Sequence, residues 1–522
     1  NGIGANYGTF VTNYNANNFL NYIKEFGVHT IDATAGMSYQ QSQTKRNYVE
    51  GTQFPSDSYR KIASAAVKSD GTSTETNFRF LSYFARANYR LKDRYLFGVS
   101  ARVDGSSRFG KNSRYGFFPA VSAGWVLSEE NFLKNNNIIS FLKLRGSYGI
   151  TGNAEIGDFP QLGLFQGDAG YVGAPGQRPS QIANPDLKWE TTRQTDIGID
   201  FGLFNNRISG EIDYYVKNTT DLLLEVNVPG TTGFTRQFKN VGALENKGFE
   251  FVLNTQNTVG KFKWNTSFNI ATNANKVTDV QGQIIEGGVR NMNRVMEGQP
   301  IGVFFTREYA GVNPDNGDAL FYKNTKNPDG TIDRSTVTNG GYNSTERVVV
   351  GNPNPKFFGG ITNTLSYGGI DFSVFFNGVY GNDVNFYGVG QYSSANGIYE
   401  DNQTTDQLNA WTPENKNTDV PQARYLITNG SQPSSRYIFD GSYLRLRTLS
   451  LGYTLPKSLT GRVKIDRVRV YFSAMNLATF TKYKGWDPEV NSDTFTSNFA
   501  QGNDFYTPPQ PRTLLFGINI GF

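Results

Sequence analysis

Few side chains in this 522-residue chain are of the types that carry out covalent or metal chemistry. The chain contains one histidine, His29, and no cysteine. Acid–base catalysis and zinc binding depend heavily on histidine, and without cysteine neither a disulfide framework nor a thiolate metal site can form. We therefore predict that His29 is a polar residue at the start of a strand. We also predict that the protein is not an enzyme and has no cofactor.

One acidic stretch superficially suggests a calcium site. Residues 315–318 read Asp-Asn-Gly-Asp, but the later glutamate that completes an EF-hand loop is absent. Residues 327–330 read Asn-Pro-Asp-Gly, a second turn signal, because proline presets φ and glycine supplies a positive φ. We predict turns at both positions and no bound metal.

Two tryptophans are candidates for contacting a substrate or a partner protein. Trp411 lies in a long polar segment at 381–442, and we predict that it is exposed there and can stack on a sugar. Trp486 and Asp487 lie in the stretch GWDPEVN at 485–491. For this stretch structural anchoring is the preferred interpretation, and contact with a substrate or partner is the alternative.

The elements that must position these residues are best seen in the last ten residues, TLLFGINIGF at 513–522. Phe516, Ile518, Ile520 and Phe522 fall at alternate positions, separated by glycine and asparagine. A strand places alternate side chains on opposite faces, so this segment has one apolar face. Both a soluble β protein and a bacterial outer-membrane barrel end in such strands, and this stretch alone does not separate them.

The same alternation recurs along the chain and predicts an all-β protein. We predict about fourteen strands from the period of two. They lie at 31–39, 81–89, 95–103, 121–127, 142–150, 197–203, 208–216, 249–253, 262–270, 361–367, 370–380, 449–455, 468–474 and 513–522.

The face opposite the apolar one carries charges, among them Arg86, Arg145, Asp196 and Glu211. Charges inside the core of a β-sandwich would be very costly, whereas they are tolerated in the wet lumen of a wide barrel. No apolar run reaches the length of a transmembrane helix, but a membrane barrel needs only alternate apolar positions. The net charge of +5 is spread along the chain, which does not favour nucleic-acid binding.

The predicted connections alternate between short and long. Tight turns are predicted at 92–93, 205–206, 257–260 and 368–369, and long connections at 104–116, 151–190, 218–246, 272–356, 381–442 and 476–512. Compact soluble domains rarely contain so many long loops. The pattern is typical of a transmembrane antiparallel β-barrel with short periplasmic turns and long extracellular loops. It predicts a periplasmic C-terminus in the bacterial outer membrane.

Several longer stretches resemble a known family. They are SRFGKNSRYGFFPAVSAGWVLSEENFL at 107–133, LKLRGSYGITGN at 142–153, NPDLKWETTRQTDIGIDFGLFNNRISGEIDYY at 184–215, ENKGFEF at 245–251, EGQPIG at 297–302, YLRLRTLSLGYTLP at 443–456 and GWDPEVN at 485–491. From about residue 33 onward the chain resembles the C-terminal barrel portion of a SusC/RagA-type TonB-dependent transporter, an outer-membrane family of the Bacteroidota.

The resemblance implies a barrel of about 22 strands, the family's number, closed by an N-terminal plug. About fourteen of these strands are predicted in this chain. It implies a SusD-like surface lipoprotein as a lid, a TonB box pulled by TonB–ExbB–ExbD, and import of oligosaccharides or oligopeptides. It also implies contact with outer-membrane lipid and with the barrel-assembly machinery through the C-terminal strand.

The chain departs from the family's pattern at its N-terminal side. We find no plug domain, no TonB box and none of the first strands, so we expect residues 1–522 to form part of one transmembrane β-barrel domain. We also expect the strand at 513–522 to pair with residues 467–475 on one side. Its other neighbour, the first strand of the barrel, is expected outside this chain.

Two other functions remain open at this point. A transporter-like barrel can serve as a structural subunit of a larger outer-membrane complex, and a TonB box upstream would separate import from that role. A secreted glycan-binding β protein is the second alternative. The apolar face of alternating residues argues against it, and solubility without detergent would test it.

Overall fold

Long strands account for most of the fold. The computed structural model describes residues 2–393, 402–461, 465–492 and 499–522. In these residues the long strands are β1 (Ile3–Phe26), β2 (His29–Thr52), β3 (Val67–Leu91), β4 (Tyr95–Ser106), β5 (Tyr115–Val126), β6 (Ile139–Asn153), β7 (Glu190–Leu203), β8 (Ile208–Thr220), β9 (Ala243–Val259), β10 (Lys263–Ala271), β11 (Phe357–Tyr367), β12 (Ile370–Tyr380), β13 (Tyr443–Thr454), β14 (Arg467–Thr481) and β15 (Thr513–Gly521).

Shorter elements lie between the long strands. The short strands are Leu164–Gln166, Arg178–Gln181, Leu223–Asn227, Arg236–Asn240, Ala274–Asp279, Ile285–Gly287, Asn293–Val295, Val303–Thr306, Tyr309–Val312, Ala319–Tyr322, Thr325–Lys326, Ile332–Asp333, Thr336–Thr338, Val348–Gly351, Asp383–Phe386, Ile438–Asp440 and Asn503–Asp504. The helical turns are Ile62–Ser64, Leu127–Glu129, Gly230–Thr232, Val289–Asn291, Asn339–Ser344, Thr405–Asn409, Ser435–Tyr437, the π-helix Tyr387–Tyr392 and the α-helix Lys457–Thr460. No helix in the described residues is both long and apolar enough to cross a membrane.

The chain divides into two compact units, which are interleaved in sequence. Unit 1 comprises residues 1–129, 145–196 and 217–243, and unit 2 comprises residues 130–144, 197–216 and 244–522. Strands β6, β7 and β8 contribute residues to both units.

In unit 1, strands β1 to β5 pair consecutively as an antiparallel meander. The register aligns apolar residues across strands, because Tyr83 of β3 lies opposite Met37 of β2 and Val103 of β4. The neighbouring row joins Val99 of β4 to Val121 of β5. Tyr83, Val99 and Val121 are exposed in the chain itself, so this face needs an apolar surrounding.

In unit 2, strands β9 to β15 form a second consecutive antiparallel run. One apolar row of directly paired residues crosses six strands: Phe516, Phe472, Leu451, Phe372, Leu365 and Trp264. Strand β15 pairs with β14 from Arg467 opposite Gly521 to Met475 opposite Thr513. This confirms the predicted pairing of the last strand with residues 467–475.

Charged and polar residues occupy the alternate positions of the strands. The Arg145 guanidinium lies 3.3 Å from the Asp196 carboxylate, and Lys143 donates to Asp200 at 2.8 Å. Arg86 donates through Nε to Asn88 Oδ1, two residues along its own strand, at 3.2 Å. The two ion pairs are largely buried, and pairing offsets part of the cost of burying these charges.

The tight turns have the backbone that hairpins require. Lys92 and Asp93, Asn205 and Asn206, and the glycines at 368–369 all have positive φ. Two consecutive residues with positive φ match the right-handed twist of the flanking strands. The connections between the long strands are, in order, 27–28, 53–66, 92–94, 107–114, 127–138, 154–189, 204–207, 221–242, 260–262, 272–356, 368–369, 381–442, 455–466 and 482–512. Short and long connections alternate as predicted except at 107–114, which is shorter than the connection 127–138 that follows it.

The sequence-based strand list was wrong at its N-terminal end. It omitted β1 and ended β2 near residue 39, whereas β1 and β2 pair without interruption over 24 residues each. The prediction failed because asparagine, glutamine and threonine occupy both faces of these outer segments, which removes the hydrophobic contrast. The pairing is still favourable, because these side chains bond across strands, as Ser38 Oγ does to Asn17 Oδ1 at 2.6 Å.

The prediction for His29 is confirmed. It is the first residue of β2, and its Nδ1 lies 2.7 Å from the Tyr89 hydroxyl.

The two faces of the strands can be tested with spin labels on single cysteines. We expect labels at the apolar positions to be reached by lipid-soluble oxygen, and labels at the charged positions to be reached by a water-soluble nickel complex. The first set is Leu81, Tyr83, Ile197, Ile199, Phe201, Ile518 and Ile520, and the second is Arg86, Arg145, Asp196 and Glu211. Interchanged accessibilities would contradict the assignment of faces.

Candidate functional site

In unit 2, the three longest connections, 272–356, 381–442 and 482–512, pack against one another. A row of three buried asparagines joins them. Asn503 donates through Nδ2 to Asn293 Oδ1 at 2.9 Å, and Asn385 donates through Nδ2 to Asn503 Oδ1 at 2.9 Å. All three side chains are fully buried. Because a buried amide is costly without partners, this row fixes one arrangement of the three connections.

The connections also have apolar clusters of their own. Ala319, Phe321 and Tyr342 form one cluster, and Val384 and Phe386 pack with Tyr483 in another. Short sheets such as Val303–Thr306 with Val348–Gly351 satisfy the backbone groups of these segments. The long connections of unit 2 therefore form an ordered loop assembly, which we define as the described residues of 272–356, 381–442 and 482–512.

A buried ion pair fastens the loop assembly to the strands. Arg445 of β13, which is 1% exposed, donates to Asp487, and through NH1 to Glu489 at 3.1 Å. Arg447 donates to the same Glu489 carboxylate at 2.9 Å. Two guanidinium groups from one strand thus hold two carboxylates of the connection 482–512.

A β-bulge lies beside these arginines. The register between β13 and β14 shifts between Leu446 and Thr448, and Asn476 in the opposite strand has a positive φ. Arg447 donates to Asn476 Oδ1 at 3.2 Å, directly beside this irregularity. In this pairing the extra residue lies in β14, where residues 476 and 477 lie opposite Arg447. Arg445 and Arg447 are two residues apart on β13 and so share a face, which lets both reach the Glu489 carboxylate.

Asp487 has an internal role in this structure. Burial acts to raise the pKa of its carboxyl. Hydrogen bonds from the backbone N–H groups of Gln510 and Glu489, together with the contact with Arg445, outweigh burial and hold the pKa below its ordinary value. Asp487 is therefore charged at neutral pH and occupied by three donors. Trp486, the preceding residue, is 58% exposed and remains available for an external contact.

The prediction that Trp411 is exposed was wrong. Its side chain is 6% exposed, and its indole nitrogen donates to the Pro314 carbonyl at 3.1 Å. A Cβ added at Gly317 would lie 2.6 Å from the Trp411 ring, so the ring packs directly on the glycine backbone. The sequence around Trp411 does not predict this contact, because Pro314 and Gly317 lie almost a hundred residues earlier in the chain.

The two predicted turns are confirmed. Gly317 has a φ of 73° and donates to the Asn313 carbonyl at 2.9 Å, and Gly330 has a φ of 87° and donates to the Asn327 carbonyl at 2.9 Å. Asp318 pairs with Arg424 at 2.6 Å. In the part of the chain that the structure describes, no group of three or more His, Asp or Glu side chains could hold a metal ion.

Sequence reasoning missed an aromatic cluster where the three connections meet. Tyr387 and Tyr392 come from the π-helix, and their hydroxyl oxygens lie 2.7 Å apart. Arg290 donates through Nε to Tyr387 at 2.9 Å and through NH2 to Tyr392 at 2.8 Å. Tyr387 also stacks on Phe505, with ring centroids 5.5 Å apart.

Phe505 and Tyr506 complete this cluster and leave part of their rings exposed. They are 42% and 38% exposed, and Tyr506 bonds to Ser393 Oγ at 2.8 Å. We define the aromatic platform as Arg290, Tyr387, Tyr392, Phe505 and Tyr506. The residues lie far apart in sequence and share no motif, so only the packing of the three connections brings them together.

The strands and loops together define a transmembrane antiparallel β-barrel of the outer-membrane type, and the all-β prediction is confirmed. The comparison with known families then identifies the chain further. Residues 1–477 match the family described as "TonB dependent receptor-like, beta-barrel", and the chain belongs to this family.

Relatives and solved structures agree with this assignment. The chain is 36% identical to "TonB-dependent receptor P3" of Formosa agariphila over 98% of this chain and 52% of the relative. It is 33% identical to "TonB-dependent receptor SusC" of Bacteroides thetaiotaomicron over 98% of this chain and 50% of the relative. A chain from "Structure of the RagAB peptide transporter" superposes with a TM-score of 0.86 at 28% identity, covering 99% of this chain and 56% of that one. The predicted resemblance to SusC/RagA-type transporters is confirmed, and the chain spans about half the length of these relatives.

We predict that Arg445→Met releases the connection 482–512 from the strands. Removing one partner of a buried ion pair leaves an uncompensated charge and costs about 3–5 kcal/mol. Because about 1.4 kcal/mol corresponds to a factor of ten, this loss of stability should raise the fraction of molecules in which the loop is open by more than about a hundredfold. Limited proteolysis of the detergent-solubilised protein, with the cut sites mapped by mass spectrometry, measures this opening.

Two controls accompany this variant. Arg447→Met removes a half-exposed contact to Glu489 and should accelerate cleavage much less. Arg178→Gln removes the exposed pair with Asp168 and should leave cleavage at 482–512 unchanged. Equal cleavage of Arg445→Met and the unaltered protein would contradict the anchoring role.

Proposed function

We propose that this protein takes part in TonB-dependent import of oligosaccharides or oligopeptides across the outer membrane. The observation that carries the proposal is membership of the TonB-dependent receptor barrel family over residues 1–477. The relatives are named as TonB-dependent receptors, and the RagAB structures are described as a peptide transporter and importer. The similarity to RagAB is what makes oligopeptides candidates beside oligosaccharides.

We propose the following arrangement in the membrane. The long connections face the cell exterior, the tight turns face the periplasm, and β15 ends on the periplasmic side. We assign the plug and the TonB box to the half of the full-length relatives that this chain does not match. Phe516, Ile518, Ile520 and Phe522 are exposed in the chain itself, which suits contact with lipid and with the barrel-assembly machinery.

The import proposal is tested in a Bacteroidota strain that carries the gene. Uptake of a panel of labelled oligosaccharides and oligopeptides is measured in the parent strain, a strain lacking the gene and a strain lacking TonB. We expect both deletions to abolish uptake of the same compounds, because active import needs the barrel and the energy-coupling protein. Uptake that depends on the gene but persists without TonB would point to passive diffusion.

A structural-subunit role gives a different result. If deletion of the gene disrupts a larger outer-membrane complex while uptake of every compound is unchanged, the import proposal is wrong and the scaffold alternative replaces it.

We further propose that the loop assembly binds a SusD-like lipoprotein lid. Leu408, Tyr425, Leu426 and Ile427 are strongly exposed apolar residues of the connection 381–442, at 59–84% exposure. Gln407 and Ile427 line one small depression, so these segments are neighbours. Neighbouring apolar side chains on a solvent-exposed loop favour contact with a protein partner. Trp486 is a further candidate for this contact.

The lid surface is tested with a triple variant, Leu408→Ser, Tyr425→Ser and Ile427→Ser. We expect recovery of the lipoprotein with the tagged barrel to fall at least about fivefold, because apolar anchors carry most of the energy of such interfaces. Co-purification followed by quantitative mass spectrometry gives the ratio.

The matched control is the triple variant Phe165→Ser, Tyr171→Ser and Val172→Ser. These residues are equally exposed but belong to the connection 154–189 of unit 1. The control should retain the lipoprotein. If both triple variants retain it, Leu408, Tyr425 and Ile427 lie outside the interface.

A further inference from the structure

We propose that the aromatic platform is a binding subsite for an acidic sugar residue, in which Arg290 contacts the anionic group and Phe505 and Tyr506 pack on the sugar ring. This inference rests on the proposed import function and specifies one chemical class of substrate for it.

The first argument is the charge of Arg290. Its side chain is exposed, and among the described residues no carboxylate pairs with it. Its two described side-chain partners are the phenols of Tyr387 and Tyr392. Burial, together with the hydrogen bond to Tyr392, raises the pKa of Tyr387 to about 12. Burial also acts to raise the pKa of Tyr392, but its hydrogen bonds with Tyr387 and Arg290 lower it below its ordinary value. Among the described residues, no carboxylate therefore compensates the positive charge of Arg290.

Two other arginines of the same connection, Arg334 and Arg347, differ in this respect. Arg334 lies over the Tyr322 ring at 4.0 Å but bonds to the Glu308 carboxylate at 2.6 Å. Arg347 also binds a carboxylate, that of Glu286, at 3.0 Å. Arg290 thus has an oriented guanidinium with bonding capacity left for an anion.

The second argument is the exposed aromatic surface beside Arg290. Phe505 packs against Tyr387, Tyr392 and Tyr506, with centroid separations of 5.5, 6.4 and 5.1 Å. These contacts fix the rings while leaving part of Phe505 and Tyr506 exposed. Rigid, half-exposed aromatic rings offer a large contact area at little cost in entropy. A sugar ring presents both a flat C–H surface and polar groups to such a surface.

The third argument is local backbone strain at the same place. Arg290, Asn291 and Tyr506 all have φ between 53° and 57°, which is unfavourable for side chains with a Cβ. Tyr387 and Tyr392 belong to a π-helix, a rare conformation that occurs frequently at functional sites. Such strained residues persist where the surrounding structure holds them for a function. Three separate segments are held this way around one guanidinium.

The test is direct binding to the full natural protein purified in detergent, by isothermal titration calorimetry. Two matched pairs of probes are used: oligogalacturonate with its methyl ester, and a sulfated carrageenan oligosaccharide with its desulfated form. We expect at least one acidic probe to bind about ten- to a hundredfold more tightly than its neutral partner, as for one charge-assisted hydrogen-bonded contact. The two pairs distinguish a carboxylate from a sulfate.

The variant Arg290→Gln should abolish this preference, so that the acidic and neutral probes of each pair bind with equal affinity. Arg290→Lys should retain part of it, because the charge is kept and the planar geometry is lost. Tyr506→Ala should weaken acidic and neutral probes alike. Arg334→Gln is the matched control, since that arginine is already neutralised, and it should bind as the unaltered protein does.

Three results would overturn the inference. They are equal affinity for acidic and neutral probes, a preference that survives in Arg290→Gln, and binding of neither acidic probe. An aspartate-rich peptide is titrated as a further probe, and its binding without either acidic sugar would likewise overturn the assignment to sugars. Because calorimetry needs no TonB, loss of import with an intact acidic preference would count against the proposed function and not against this subsite.

Discussion

The hydrogen bonds of the backbone are the constraint on which the rest of this structure depends. In hydrocarbon each unpaired N–H or C=O costs several kcal/mol, so strands must pair with their neighbours along the whole apolar zone. Consecutive antiparallel pairing meets this demand with the shortest turns, as at Lys92 and Asp93. Pairing then dictates the two faces, because every second side chain must suit lipid and the others must suit water. The apolar row from Phe516 to Trp264 in unit 2 and the row through Tyr83 in unit 1 follow from this requirement.

The same constraint explains why the long connections of unit 2 are so well organised. Once outside the apolar zone, a connection of several dozen residues needs its own partners for buried polar groups. The asparagine row centred on Asn503 and the ion pair between Arg445 and Asp487 supply such partners and leave two buried atoms, Asn385 Oδ1 and Arg445 Nε, without one in the described part of the chain. Both interactions are specific, since each leaves a costly buried group if the neighbouring segment shifts. The aromatic platform depends on this order, because its residues come from all three connections.

Sequence reasoning succeeded where one local pattern carries the information. Period-two alternation identified β2 to β15, and short polar or glycine pairs identified the tight turns at 92–93, 205–206 and 368–369, whereas the turn predicted at 257–260 lies at 260–262. It failed at β1, where polar residues on both faces hide the alternation. It also failed at Trp411 and at Arg290. The surroundings of these residues are set by segments about a hundred residues away, and no spacing in the chain encodes that packing.

The length of the first hairpins has a practical consequence. Strand β2 contains 24 residues, which at about 3.3 Å each extend far beyond an apolar band of about 25 Å. The polar halves of β1, β2 and β3 therefore form a three-stranded ribbon, in which β2 and β3 are joined by the connection 53–66. A rigid stalk with a short irregular tip accepts inserted sequence well, because the inserted residues disturb no buried backbone. An epitope or affinity tag placed at the exposed residues 56–60 would be displayed at a fixed distance from the membrane.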